Sequence, residues 1–206
     1  FIGRPNAGKS TLLNRLVGEK LAIVSDKPQT TRTRILGVRN YPDAQVVFLD
    51  TPGIHRPLHR MNVRMVDVAV QTITEVDVLG LVVDVTESVG RGDRYVFDLV
   101  KNATAPVFLI LNKVDLVKKV KLLPLIDTYS KEGNFAEIIP ISASTGVNVD
   151  RLERAIIDRL PEGPALYPED YLTDQPERVM ASEIIREKVL QFTHAEIPFS
   201  SAVVVE

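Results

Sequence analysis

Short apolar, β-branched runs alternate along the chain with longer stretches in which apolar residues recur every three or four positions. The short runs predict strands at Ile35–Val38, Val46–Leu49, Val78–Val85, Val107–Leu111 and Ile138–Ile141. The longer stretches predict helices at Lys9–Val17, Asn62–Thr74, Arg94–Asn102, Leu122–Glu132 and Val149–Leu160. This order predicts an α/β fold with a mixed, mostly parallel sheet and helices on both faces. Ligands of such sheets bind at the carboxyl ends of the strands.

The pattern changes after residue 160. Residues 161–176 contain four prolines and several acidic residues, which is typical of a linker. Glu177–Phe192 then predicts a helix and Ser200–Val205 a strand. About thirty residues cannot form an independent core, so we expect only the beginning of a second domain. The predicted units are residues 1–162, a linker at 163–175 and the second domain at 176–206. We also expect the chain to be truncated at both ends.

Composition and charge restrict the possible classes of protein but do not indicate a specific function. The chain has 206 residues, no cysteine and a net charge of −2. Residues 161–206 contain nine acidic and three basic residues, so this part has a net charge of −6 and residues 1–160 have a net charge of +4. The chain as a whole is not basic, so its net charge does not indicate a nucleic-acid partner. No signal peptide is recognisable, and the apolar run Val78–Val83 is too short to cross a bilayer. We therefore expect a cytoplasmic protein.

The first chemical motif is Gly3–Ser10, which follows the pattern G-x4-G-K-[ST] and directly precedes a predicted helix. Its backbone N–H groups and the helix N-terminus favour phosphate oxygens. The Lys9 ammonium can reach the β- and γ-phosphates, and the Ser10 hydroxyl can bind Mg²⁺. The nucleotide contacts predicted here are Asn6, Ala7, Gly8, Lys9, Ser10 and Thr11.

The second motif, Asp50–Gly53, follows the predicted strand Val46–Leu49. A carboxylate at this strand end can help to hold Mg²⁺, and the Gly53 N–H can contact a γ-phosphate. Because Asp-Thr-Pro-Gly is also good turn chemistry, the motif gains its meaning from its order and spacing after the first one.

The third motif, Asn112–Asp115, follows Val107–Leu111. The Asp115 carboxylate can accept hydrogen bonds from N1–H and N2–H₂ of guanine, a pair that adenine lacks. A buried Asp115 without these partners would be costly, which predicts guanine specificity. Lys113 can lie along the base and Asn112 can join neighbouring loops. After the strand Ile138–Ile141, backbone N–H groups of Ser142 and Ala143 can contact guanine O6.

Taken in order, these motifs resemble the translation-factor-like P-loop GTPases, in the group that contains Era, EngA and MnmE. The resemblance covers the whole chain. Pro5-Asn6, and the loop Pro28–Arg34 with its Thr30-Thr31-Arg32, are similar to the Era family of ribosome-assembly GTPases. The segments Leu160–Pro164 and Tyr167–Tyr171 resemble the linker of that family. The helix Glu177–Phe192 resembles the start of its KH-type α+β RNA-binding domain.

The resemblance implies a P-loop GTPase fold and hydrolysis of GTP to GDP and phosphate. It implies that Thr31 joins Ser10 and Asp50 around Mg²⁺ and that a loop from about Asp26 to Thr33 closes in the GTP state. Sequence alone leaves Thr30 open as an alternative to Thr31. The implied catalytic residues are Lys9, Thr31 and Gly53. The apolar residue Ile54 replaces the glutamine that orients water in Ras-like enzymes, and Asn6 is a candidate ligand for a stimulating K⁺ ion.

The partners implied for the full-length protein are 16S rRNA and the small ribosomal subunit. A KH module clamps nucleotides with a GXXG loop, and residues 177–206 contain none, so we expect weak or absent RNA binding by this chain. Peripheral association with the inner membrane stays open, and no stable oligomer is predicted. Two alternatives remain, a tRNA-modification or dual-domain GTPase of the same group, and a nucleotide-gated binding module whose hydrolysis is incidental. The Asn112–Asp115 motif disfavours a P-loop kinase or ATPase.

Overall fold

The computed structural model describes residues 1–25, 30–55, 60–192 and 202–205. The strands are β1 (Ile2–Gly3), β2 (Ile35–Asn40), β3 (Gln45–Asp50), β4 (Leu79–Asp84), β5 (Val107–Asn112) and β6 (Glu137–Pro140). The helices are α1 (Lys9–Val17), α2 (Arg60–Ile73), α3 (Arg91–Val100), α4 (Leu122–Ser130), α5 (Val149–Ile157) and α6 (Glu177–Phe192). Short 3₁₀ turns lie at Val114–Leu116 and Lys119–Lys121.

Four parallel strands form the central sheet in the order β1, β4, β5, β6. The register pairs Asp84 with Asn112, so the last residues of β4 and β5 lie side by side at the carboxyl edge. Strands β2 and β3 form an antiparallel hairpin. The Thr51 N–H donates to the Phe1 carbonyl at 3.3 Å, which places the end of β3 beside the beginning of β1. The predicted α/β fold with a mixed, mostly parallel sheet is confirmed.

Apolar side chains form one hydrophobic cluster on each face of the sheet. On one face, Phe108 and Ile110 of β5 belong to the cluster that contains α1 and α5 side chains. On the other, Leu109 and Leu111 belong to the cluster with side chains of α2 and α3. All residues of β5 are buried. The uninterrupted apolar run of this strand is therefore explained by helices on both sides.

Several local features differ from the predicted elements, and helix α5 ends at Ile157 rather than Leu160. Helix α3 begins at Arg91 rather than Arg94, because the Asp93 carboxylate accepts a hydrogen bond from the Gly90 N–H at 2.8 Å and caps the first turn. The two 3₁₀ turns were not expected. The prediction of a strand at Ser200–Val205 is wrong for residues 202–205, since a strand requires a hydrogen-bonded partner strand and these four residues are outside any strand. Residues 200 and 201 lie outside the described residues.

The segment between the two predicted domains lies along the β2–β3 hairpin. The Val38 N–H donates to the Leu172 carbonyl at 2.8 Å, and the Thr173 hydroxyl donates to the Leu36 carbonyl at 2.6 Å. The Gln45 side chain also accepts hydrogen bonds from the backbone of this segment and donates one back. The segment is thus fixed to the edge of β2, and it positions the beginning of α6 against the rest of the chain.

Candidate nucleotide-binding site

The loop between β1 and α1 contains the predicted phosphate-binding residues. Asn6 and Gly8 both have left-handed backbone conformations, with φ of 62° and 93°. A Cβ atom on Gly8 would lie 2.2 Å from Nδ2 of Asn112, so glycine is required both by the backbone angle and by the close approach. Helix α1 begins directly afterwards at Lys9, and the N–H groups of its first turn face this loop. The loop and the helix N-terminus together form a concave site for an anion.

Lys9 is buried inside this loop and is 6% exposed. Its Nζ donates to the carbonyl of Gly3 at 3.3 Å and to that of Arg4 at 3.0 Å. Burial lowers the pKa of Lys9 because the charged form loses hydration, while the Asp50 charge opposes this shift. An anion next to the ammonium would offset that burial, which fits a phosphate ligand.

Three oxygen-bearing side chains meet at the start of α1. The Ser10 hydroxyl donates to Oδ2 of Asp50 at 2.6 Å and lies 3.0 Å from the Thr31 hydroxyl. Burial raises the pKa of Asp50, although Lys9 and Ser10 oppose the shift. Oδ1 of Asp50 is buried and accepts no hydrogen bond from the described residues. Hydroxyl and carboxylate oxygens with an unsatisfied buried acceptor are a donor set that suits Mg²⁺.

These distances bear on the alternative between Thr30 and Thr31. It is the Thr31 hydroxyl that lies beside Ser10, whereas the Thr30 carbonyl accepts a hydrogen bond from Arg186. The geometry favours Thr31 for the predicted Mg²⁺ contact. Residues 26–29 of the predicted mobile loop, including Pro28 and Gln29, lie outside the described residues.

Gly53 and Ile54 follow β3 and pack against the phosphate-binding loop. A Cβ atom on Gly53 would approach both N and Cα of Pro5 to 2.7 Å, so a larger residue would displace the loop. The Ile54 N–H donates to the Gly3 carbonyl at 2.9 Å, and its side chain is fully buried. Ile54 therefore anchors this turn and presents no polar group that could orient water.

A cavity of about 430 Å³ opens over the loop. The predicted residues among those that line it are Asn6, Gly8, Lys9, Ser10, Thr11, Thr31, Gly53 and Lys113. Residues that the sequence did not single out also line it, namely Ile23, Val24, Ser25 and Glu87. Glu87 forms an ion pair with Arg4 at 2.9 Å, and no motif or spacing marks it in the sequence.

Asn112 connects the phosphate-binding loop to the loop after β6. Its Nδ2 donates to the Ala7 carbonyl at 2.8 Å, and its Oδ1 accepts from the Ala143 N–H at 2.9 Å. The Ser142 N–H donates to the Val147 carbonyl at 3.0 Å. The amides of Ser142 and Ala143 thus hold the loop together here, whereas we predicted that they donate to guanine O6. The sequence could not reveal this, because it does not show which acceptors lie nearby.

Lys113 and Asp115 lie on a turn at the surface. Lys113 has a left-handed backbone conformation, and its Nζ donates to Oδ2 of Asp84 at 2.5 Å. This bond and those from Thr86 lower the pKa of Asp84 despite its partial burial. Asp115 lies in the first 3₁₀ turn and is exposed rather than buried as expected, because nothing in the described chain covers this turn. An exposed carboxylate on a fixed turn can still accept two hydrogen bonds from a base edge.

The chain is similar in sequence to known proteins. A family model described as a 50S ribosome-binding GTPase matches residues 1–113. The chain is 52% identical over its whole length to proteins named GTPase Era from Staphylococcus haemolyticus and from Geobacter metallireducens, and it spans 69% of each.

Solved structures extend the agreement to three dimensions. An Era structure in complex with MgGDPNP and a segment of 16S ribosomal RNA is 44% identical, with a TM-score of 0.91 over 97% of this chain and 68% of that one. An Aquifex aeolicus Era variant bound to GDP and AlF₄⁻ gives the same values. The chain is a GTPase with the P-loop fold, and it belongs to the Era family.

Proposed function

We propose that this GTPase acts in maturation of the small ribosomal subunit and that it binds 16S rRNA through a C-terminal KH-type domain. The proposal rests on one observation above all, the Era structure that contains both MgGDPNP and a segment of 16S rRNA and that matches 97% of this chain. The proposed boundaries are residues 1–162 for the GTPase domain, 163–175 for the linker and 176–206 for the first part of the RNA-binding domain.

The proposed chemistry is hydrolysis by positioning and charge neutralisation, which is the main requirement of phosphoryl transfer. Lys9 holds the β- and γ-phosphates, and the Gly53 N–H contacts the γ-phosphate. Ser10, Thr31 and Asp50 would hold Mg²⁺, which would supply positive charge that neutralises the phosphates. Asp115 accepts hydrogen bonds from guanine, and Lys113 covers the base.

Ile54 leaves water positioning to other groups, and this gives Asn6 its proposed role as a K⁺ ligand beside the phosphates. Asn6 lines the cavity and has a left-handed backbone conformation. We expect single-turnover hydrolysis to be faster in K⁺ than in Na⁺, and Asn6→Ala to abolish the difference. Equal rates in the two salts for the unsubstituted chain would refute the K⁺ role.

We also propose a cytoplasmic location and no stable oligomer, with peripheral association with the inner membrane as the alternative location. No helix in the described part of the chain combines the length and apolar character that crossing a membrane requires.

The experiment for the main proposal uses the full-length protein. Its binding to a 16S rRNA 3′ fragment is measured with MgGDPNP and with MgGDP, beside a shuffled RNA of equal length. We expect tighter binding to the 16S fragment with MgGDPNP. Equal affinity for the two RNAs in both nucleotide states would contradict the proposal. The same measurement on residues 1–206 should give weak binding, since the GXXG loop is missing from this sequence.

A further inference from the structure

Two charged side chains of α6 are almost completely buried, although they lie far from the nucleotide motifs in sequence. Arg186 is 2% exposed and Glu187 is 3% exposed. Burying a charge is costly unless it is paired and hydrogen-bonded. The partners of these two residues therefore show which parts of the chain the buried charges hold together.

Arg186 contacts the segment that carries Thr31. Its Nη2 donates to the Thr30 carbonyl at 2.5 Å, while Nε and Nη2 donate to the two carboxylate oxygens of Glu183 at 2.9 and 2.5 Å. The planar peptide bond joins the Thr30 carbonyl directly to the Thr31 nitrogen. Fixing that carbonyl therefore restricts the orientation of Thr31, whose hydroxyl lies 3.0 Å from Ser10.

Glu187 contacts the segment on the other side of residues 26–29. Its Oε1 accepts from the Val24 N–H at 3.1 Å, and its Oε2 pairs with the Lys20 ammonium. Val24 and Ser25 line the cavity, as do Thr30 and Thr31. Adjacent residues of α6 thus hold both described stretches that flank residues 26–29.

We propose that Arg186 and Glu187 are positioning residues for GTP hydrolysis, and that α6 holds the Thr31 hydroxyl beside Ser10. This inference rests on the proposed role of Thr31 as a Mg²⁺ ligand. Because bonds within the protein then fix the orientation of Thr31, less ordering is required when MgGTP binds. Contacts made by α6 would accordingly set the affinity of the GTPase site for GTP more than for GDP.

The first test measures amide hydrogen exchange of residues 30–34 in the nucleotide-free chain. Arg186→Ala removes the hydrogen bond to Thr30, and exchange in this segment should become roughly tenfold faster, the change expected for loss of one such bond. Arg178→Ala is the matched control, since Arg178 is an exposed arginine of the same helix. Exchange that is equally slow in both variants would overturn the proposal.

The second test compares affinities for MgGDPNP and MgGDP. Arg186→Ala should weaken MgGDPNP binding roughly tenfold and MgGDP binding less than threefold, since only the former uses Thr31. Thr31→Ala, measured in parallel, should show the same selectivity. A normal MgGDPNP affinity for Thr31→Ala would refute the proposed Mg²⁺ role. A defect in Thr31→Ala with none in Arg186→Ala would refute the positioning role alone.

A second variant covers the case in which Arg186→Ala does not fold. Glu187→Gln keeps the shape of the side chain but removes the charge that faces Lys20. Exchange of residues 20–25 should increase, and MgGDPNP affinity should decrease more than MgGDP affinity. Unchanged exchange and affinities in this variant would then overturn the proposal.

Discussion

The phosphate end and the base end of the nucleotide site are built in different ways. At the phosphate end, Lys9 and Asp50 are buried, and Ser10 hydrogen-bonds to Asp50 at 2.6 Å. At the base end, Asp115 is exposed on a 3₁₀ turn and Lys113 is only partly buried. The phosphate end is therefore preset by bonds within the protein. At the base end the Asp115 carboxylate is exposed and forms no hydrogen bond or ion pair with the described residues. Changes there should therefore affect affinity without affecting stability.

The largest expected effect follows from replacing Lys9 at the preset end. Lys9→Met removes the charge that we propose faces the phosphates and should slow single-turnover GTP hydrolysis roughly 10²–10³-fold, as for loss of one preorganised donor in a water-excluded site. The free energy of unfolding without nucleotide should also fall, because the Gly3 and Arg4 carbonyls lose their donor and the buried Asp50 loses the charge that opposes its burial. Lys101→Met, at an exposed lysine, is the control. A decrease of less than threefold would show that Lys9 only supports the loop.

The second largest expected effect follows from replacing Asn112, which connects the phosphate-binding loop to the loop after β6. Asn112→Ala leaves the Ala7 carbonyl and the Ala143 N–H without their side-chain partner. Each unsatisfied buried group costs about 1–3 kcal/mol, so we expect a loss of about 3 kcal/mol in urea-induced unfolding. Asn102→Ala, at an exposed asparagine, should cost less than about 0.5 kcal/mol. If Asn112→Ala behaved like this control, the two ends would be independent.

At the base end, Asp115→Asn should change specificity and leave stability intact. Hydrogen bonds to a charged group are worth about 1.5–3 kcal/mol, so GDP affinity should fall roughly 100-fold. Xanthine has a carbonyl where guanine has its 2-amino group, and an asparagine amide can donate to it. Xanthosine diphosphate should therefore bind the variant better than the parent chain. Calorimetric titration measures both, with Asp127→Asn as the control on exposed α4. An unchanged GDP affinity would contradict the assignment of Asp115.

The phosphate end could be predicted from sequence because its residues follow strand ends, and parallel strands bring those ends to one edge. Lys9, Ser10 and Asp50 meet for this reason. The contact of α6 could not be predicted in the same way. The apolar residues near helical spacing in α6 are Val179, Ile184, Ile185, Val189 and Leu190. Of these Leu190 is buried, but Val179, Ile184 and Ile185 are exposed, and the charged Arg186 and Glu187 are buried instead.

The contact between α6 and Thr30 also shows that long-range hydrogen bonds cannot be predicted from this sequence. Arg186 meets Thr30 across 156 positions, and neither residue type nor local spacing indicates the pairing. The amides of Ser142 and Ala143 present the same limit on a smaller scale, since their acceptors come from Val147 and from the distant Asn112. Local motifs predict which groups face a ligand, whereas the bonds that hold those groups in place depend on tertiary structure.

The smallest expected effect is a pH dependence at this charged contact. Burial opposes ionisation of Glu187, but the hydrogen bonds from Lys20 and Val24, together with the Lys188 charge, outweigh it and lower the pKa of Glu187. A carboxyl group with a lowered pKa stabilises the folded state above its ordinary pKa of about 4.3, and this contribution is lost as the pH falls through the lowered value.

The free-energy difference between the parent chain and Glu187→Gln should therefore be about 1–2 kcal/mol at pH 7, should decrease below about pH 4.3, and should disappear once the pH is below the lowered pKa of Glu187. Urea unfolding at pH 7, 5, 4 and 3 measures it, with Glu162→Gln, at an exposed glutamate, as the control that shows no such difference. A difference that stayed constant over this pH range would mean that the charge of Glu187 does not stabilise α6. The buried contact of α6 would then differ from the phosphate end, where charged side chains are held by bonds within the protein.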